Sequence, residues 1–152
     1  MGHFFYSFFC YYVKNGSVGV CMRVSHLETK SRFEFIDITA QVERVVAEKQ
    51  VDSGLCVVYV SHTTAAVTIN ENADPSVPSD ISRKMEDIVP LRNGYDHMEG
   101  NSAAHIKSTL VGCSEIVPIE KGRLYLGTWQ AIFFCEFDGP RRRQFGVKVI
   151  SG

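Results

Sequence analysis

The sequence predicts an α+β domain built mainly from antiparallel sheets with two to three helices. Three observations predict it. Strand-like segments outnumber helical ones, those after residue 113 follow one another across tight turns, and strands and helices do not strictly alternate, which argues against a doubly wound parallel fold. A chain of 152 residues is enough for one core of ordinary size and short for two. One domain is therefore expected over residues 22–152, preceded by an extension at 1–21.

Each element has a local reason. In "MRVSHLETKSRFEFIDIT" β-branched and aromatic residues recur at period two around Phe33 and Phe35, giving two short strands. Thr39 is placed to cap a helix whose apolar positions Val42, Val45 and Val46 fall three and four apart, with "DSG" at 52–54 ending it. "LCVVYV" is a continuous apolar run, the pattern of a central strand buried on both faces. "AVTINE" reads as a strand, and the two prolines of "NADPSVPSD" break it and launch a helix. There Ile81, Met85 and Ile88 form a core-facing stripe until Pro90 stops the pattern. After "SAAHIKSTL", a plausible short helix, the segments "SEIVPIE", "RLYLGT", "QAIFFCEF" and "QFGVKVI", with turns at "KG" and "DGP", read as a meander.

Composition bounds the partners. A net charge of −1 supplies no long-range pull toward nucleic acid or an anionic membrane, so neither is expected as a partner. Five cysteines, an odd number with no C-x-x-C pair and mostly set in apolar runs, point to a reducing cytoplasmic compartment and away from a zinc–thiolate site. The aromatic run from Phe4 to Val13 is too short to span a bilayer and lacks the flanks of a secretory signal. It reads as an extension adding an edge strand, or as translation from a start upstream of Met22, and carries no assigned chemistry.

Three polar clusters can do chemistry. Ser61–Thr64 and Asn70–Asp74 each follow a strand, so His62 is expected to meet Glu71 and Asp74 across a hairpin; a hydrogen-bonded structural histidine is the alternative. In "GYDHMEGNSAAH", His97 and His105 on one straight helix would lie about 12 Å apart along the axis, too far to share a cation. Asn101, a favoured N-cap, supplies the bend that brings them together. The alternative is a loop braced by Asp96, Glu99 and Asn101. Imidazoles beside carboxylates suit zinc, the carboxylates and asparagines alone suit magnesium, and the residues do not choose. The third cluster is "GTWQ" with "EFDGPRRRQ". Its arginines offer planar forks for phosphate, but in a strand Arg142 projects opposite to Arg141 and Arg143. Trp129 either stacks on a heterocycle or, the better reading, fills the core.

The segments "SHTTAAVTINENADP", "DHMEGNSAAHIKSTLVG" and "SEIVPIEKGRLYLGTWQAIFFCEFDGPRRR" together resemble the YjbQ-like family, the secondary thiamine-phosphate synthase proteins, over about Met22 to Ile150. The resemblance implies a homotrimer, a site near subunit boundaries, and a bound metal in some members. It implies a transferase joining a pyrimidine methyl diphosphate to a thiazole phosphate with release of diphosphate, as a secondary activity. Matched to that chemistry, His97, His105 and His62 are the metal candidates. Glu71, Asp74 and His62 are the catalytic candidates, completing the coordination or moving a proton from the pyrimidine amine. Lys107 and Arg141 are candidates for phosphate, Asn70, Asn101, Thr128 and Gln130 for substrate polar edges, and Trp129 for stacking. Rival expectations are a metal-dependent phosphate-ester hydrolase and a non-catalytic trimeric protein that binds a metal or a small phosphorylated metabolite.

Overall fold

The structure, a computed structural model, describes residues 21–152. The aromatic run of the N-terminal extension lies outside the described residues. The elements follow in the order β1 (Arg23–Glu28), β2 (Glu34–Asp37), α1 (Thr39–Lys49), β3 (Gly54–Tyr59), β4 (Ala65–Glu71), α2 (Ser76–Ile88), α3 (Ser102–Val111), β5 (Ser114–Glu120), β6 (Arg123–Leu124), β7 (Gln130–Glu136) and β8 (Arg142–Ser151). The α+β class and its antiparallel sheets are as expected: every strand pairing is antiparallel.

The strands divide between two sheets, one of five strands in the order β1-β8-β3-β5-β6 and one of three in the order β2-β7-β4. The expected meander is therefore corrected. Only β5 and β6 form the anticipated hairpin, since β7 leaves for the smaller sheet and β8 returns to the larger one. β6 itself is two residues long, although Tyr125 N–H still donates to the Pro118 carbonyl at 2.8 Å. At the β7–β8 turn a Cβ on Gly139 would collide with the Ser31 carbonyl, so glycine is what lets this turn lie against the β1–β2 loop.

The main core lies between the sheets, where Val58, Val117 and Val147 of the larger meet Val67, Ile132 and Phe134 of the smaller. Val42, Val45 and Val46 plug α1 into the same core, as their spacing predicts, each burial contributing roughly 1.5–3 kcal/mol. A second cluster covers the opposite face of the smaller sheet: Ala66, Phe133 and Cys135 pack with Ala104 of α3 and Met85 of α2. Burial on both faces thus belongs to β7, where only Gln130 is exposed. β3 is central in its sheet as read, but Leu55 and Tyr59 are exposed on its outer face. An apolar run does not distinguish these two situations, because what covers the second face comes from elsewhere in the chain.

Helix ends and faces also differ in detail. Thr39 is the first residue of α1 and makes no cap; its hydroxyl accepts the Ile132 N–H at 2.9 Å, while Asp37 Oδ1 accepts the Thr39 N–H at 2.8 Å. The hydroxyl takes the place of a strand partner where the chain turns out of the sheet after Asp37. α1 ends at Lys49, ahead of "DSG", because Gln50 takes a left-handed conformation (φ 52°). α2 buries no residue completely: Met85 reaches the second cluster, but Ile88 is 65% exposed, so the expected stripe meets the core only in part.

Candidate functional site

The segment between α2 and α3 is shaped by two left-handed glycines, Gly94 (φ +66°) and Gly100 (φ +72°). Tyr95 donates its hydroxyl to the Pro90 carbonyl at 2.9 Å, and Gly100 N–H donates to the His97 carbonyl at 3.0 Å, closing a tight turn just before α3. The backbone carbonyl of Asn101 then accepts the N–H groups of Ala104 and His105. Asn101 occupies the N-cap position, but its side chain does not cap the helix. Its Nδ2 donates to Asp138 Oδ2 at 3.1 Å, tying the helix start to the β7–β8 turn, and its buried Oδ1 has no partner.

This geometry brings the two histidines together. The His97 and His105 ring centroids are 5.4 Å apart at an interplanar angle of 78°. Two imidazoles on one tetrahedral zinc, with nitrogens about 2.1 Å from the metal, place their centroids about 5 Å apart, so the pair has the right spacing for two ligands of one ion. The set is incomplete: among the described residues no three His, Cys, Asp or Glu side chains gather in a metal-binding group. Glu99 Oε2 lies 3.7 Å from His97 Nε2, and Asp96, Ser102 and Ile106 join both histidines around a groove of about 520 Å³.

His62 is engaged elsewhere. Its Nε2 accepts the Gln144 N–H at 3.1 Å, the arrangement of the hydrogen-bonded structural histidine. Burial and the nearby Arg143 guanidinium push its pKa below the usual imidazole value. Nor does His62 meet Glu71 and Asp74 across a hairpin. β3 and β4 belong to different sheets, and β4 runs from Ala65, opposite Glu136, to Glu71, opposite Gln130. Six residue steps at about 3.3 Å put some 20 Å between the strand's ends, with His62 before the first and Glu71 at the last.

At that far end Asp74 is exposed; Oδ1 accepts the Ser76 N–H at 2.8 Å, which holds its carboxyl below the usual range and forms the turn that opens α2. Asn70 Oδ1 accepts the Glu71 N–H, and Gln130 Oε1 accepts the Gly127 N–H, so both amides shape their own loops. Thr128 is exposed, and Trp129, 63% exposed, does not fill the core. Neither phosphate candidate has a free cationic head. Lys107 is 5% exposed, with Nζ 4.8 Å from the Phe33 ring centroid and 3.8 Å from Glu86; burial pushes its pKa down, against the pull of Glu86. Arg141 is bound to Asp138 at 2.8 Å.

Sequence reasoning missed the most buried polar group. Glu136, fully buried, accepts from Arg143 Nε at 2.7 Å and from its NH2, from the Thr29 hydroxyl at 3.0 Å, and from the N–H groups of Phe137 and Asp138. The signal was present: a lone carboxylate in the apolar run "QAIFFCEF", and an arginine whose strand parity turns it away from Arg142. This network holds the ends of β4, β7 and β8 together beneath the Asp138–Asn101 contact.

Two facing antiparallel sheets, with a helix start that pairs two imidazoles beside a groove, define a small α+β protein. The family model for "UPF0047 protein YjbQ-like" matches residues 23–152, and the chain belongs to that family. It is 53% identical over 125 residues to a UPF0047 protein of Methanocaldococcus jannaschii, covering 82% of this chain and 91% of that one. To UPF0047 protein YugU of Bacillus subtilis it is 49% identical over 131 residues, covering 86% and 99%. Among solved structures, an uncharacterized conserved protein of the YjbQ/UPF0047 family from Clostridium acetobutylicum superposes with a TM-score of 0.83 at 50% identity, covering 84% and 98%.

Proposed function

We propose that the chain is a transferase of the thiamine-phosphate synthase type, acting in the groove at His97 and His105. The observation that carries this reading is the imidazole pair, with ring centroids 5.4 Å apart beside an open groove, a spacing that suits two ligands of one divalent cation. In the reaction a nitrogen of the thiazole phosphate attacks the methylene carbon of the pyrimidine. The C–O bond to diphosphate breaks, and its electron pair leaves on the diphosphate. A divalent cation, zinc or magnesium, would supply positive charge to that leaving group when bound. His97 and His105 would hold two of its coordination positions, and the remaining donors would come from substrate or from a second copy of the chain.

The reading includes a homotrimer in the cytoplasm. In its support, Leu55, Tyr59, Ile116 and Ile150 are exposed on the outer face of the larger sheet among the described residues. No helix among the described residues is long and apolar enough to cross a membrane. A hydrolytic reading has one specific observation of its own: the Glu99 carboxylate, 3.7 Å from His97 Nε2, is a candidate base for an attacking water.

The test supplies the two substrate halves together and singly, with and without added zinc or magnesium. Thiamine phosphate formed only when both halves are present, and lost in His97→Ala with the fold intact, is the expected result. Release of phosphate from one half with water alone supports hydrolysis. A protein that binds metal through the two histidines and turns over neither substrate refutes both catalytic readings.

A further inference from the structure

A second cavity, of about 460 Å³, adjoins the imidazole groove and shares Gly94, Tyr95 and His97 with it. Its lining is cationic. Arg32 and Arg92 stand around it with Asn93 and His97, and no carboxylate forms part of the wall. Both arginines are exposed, and neither makes an ion pair among the described residues, whereas Arg83, Arg141 and Arg143 each pair with a carboxylate.

Two separate segments deliver these guanidiniums. Arg32 sits in the β1–β2 loop, whose position is fixed where the Arg32 carbonyl accepts the Gly139 N–H at 3.1 Å. Arg92 sits in the loop that Tyr95 anchors to Pro90. Two arginines without an ion-pair partner among the described residues border one cavity, and an anion entering it is attracted to both. A guanidinium presents two parallel N–H donors to phosphate oxygens, and a cavity of this volume suits a small metabolite.

We propose that Arg32 and Arg92 form an anion subsite for the phosphate or diphosphate group of a ligand whose body lies in the adjoining groove between His97 and His105. The inference rests on the reading of that groove as the substrate site. It moves the phosphate contacts from Lys107 and Arg141, both already partnered, to two arginines that are not. The ligand class is an elongated molecule with an anionic end at the arginines and a less polar body beside Tyr95 and Ile106.

The experiment is calorimetric titration of the full chain with inorganic diphosphate, inorganic phosphate and phenyl phosphate. Arg32→Gln, Arg92→Gln and the double variant are compared with Arg83→Gln, which removes an ion-paired surface arginine outside the cavity. Each single substitution is expected to weaken diphosphate binding roughly tenfold or more, and the double substitution to abolish it, while Arg83→Gln leaves it unchanged. Tighter binding of phenyl phosphate than of phosphate supports a ligand that spans both cavities, and equal binding overturns that part. Unchanged diphosphate affinity in a folded double variant overturns the subsite, as does a wild-type chain that binds none of the three at about 10 mM. These readouts are independent of turnover. Diphosphate bound through the arginines by a protein that makes no thiamine phosphate upholds the subsite and refutes the transferase. Thiamine phosphate made at undiminished rate and KM by the double variant does the reverse.

Discussion

Replacing Arg143 with methionine should destabilise the fold more than any surface change, because the buried Glu136 carboxylate would lose its ion-pair partner. Glu136 is fully buried and Arg143 is 5% exposed. Removing one partner from such a pair typically costs 3–5 kcal/mol. The cost here should sit near the low end, about 3 kcal/mol, since the Thr29 hydroxyl and the N–H groups of Phe137 and Asp138 still donate to the carboxylate. The Thr64 hydroxyl, which accepts from Arg143 at 2.8 Å, also loses its donor. With a urea dependence of about 2 kcal/mol per molar, the unfolding midpoint should fall by about 1.5 M. Glu136→Gln in the same chain removes the stranded charge and should restore at least about 1 kcal/mol, giving a measurable coupling in a double-mutant cycle. A single Arg143→Met variant within about 1 kcal/mol of the parent would refute the claim that this pair clamps the ends of β4, β7 and β8.

Other measurements address the rest of the molecule. His62 is held with a pKa below 6.5 while the unfolded chain binds its proton near 6.5, so its contribution to stability is complete above that pH and is lost as pH falls through the folded value. Urea titrations from pH 8 to pH 5 should show that loss in the parent and a flatter profile in His62→Gln; identical slopes would contradict it. Burial pushes the Cys56 thiol up to about 11, and raises that of Cys135 further, whereas Cys113 is exposed. A thiol reagent at pH 8 should therefore label Cys113 in the native protein and reach Cys56 and Cys135 only on unfolding. Tyr59→Glu with Ile116→Glu places charge on the sheet face proposed as the trimer contact, and light scattering should register a fall from the proposed trimer to monomer. A trimer that survives both changes would exclude that face as the contact.

Much of the architecture was legible because its causes are local. The 3.6-residue spacing of Val42, Val45 and Val46 suffices to orient α1, and period-two alternation marks β1, β2 and β4 wherever they finally pair. The bend at Asn101 was legible for the same reason. His105 lies eight positions after His97, and a straight helix over that span keeps the rings apart, so they could meet only across a turn; the structure supplies it between His97 and Gly100. Other features depended on partners distant in sequence. Ile81 and Ile88 have helical spacing, yet of that stripe only Met85 joins a core cluster, the one that holds Phe33, Phe35 and Phe137 from two other segments. Trp129 stays in water because the turn closed by Gln130 holds it at the rim.

The sequence by itself determined the antiparallel α+β class and the positions of the helices and most strands, since backbone periodicity and turn chemistry act within a few residues. Only the tertiary structure decided how eight strands divide into two sheets, which face of β3 stays open, and that His62 and Glu71 lie at opposite ends of a strand. It alone set Arg32 beside Arg92 across sixty positions of chain. These outcomes depend on which distant surfaces bury one another, and no local pattern specifies which partner a given apolar face or charged group will meet.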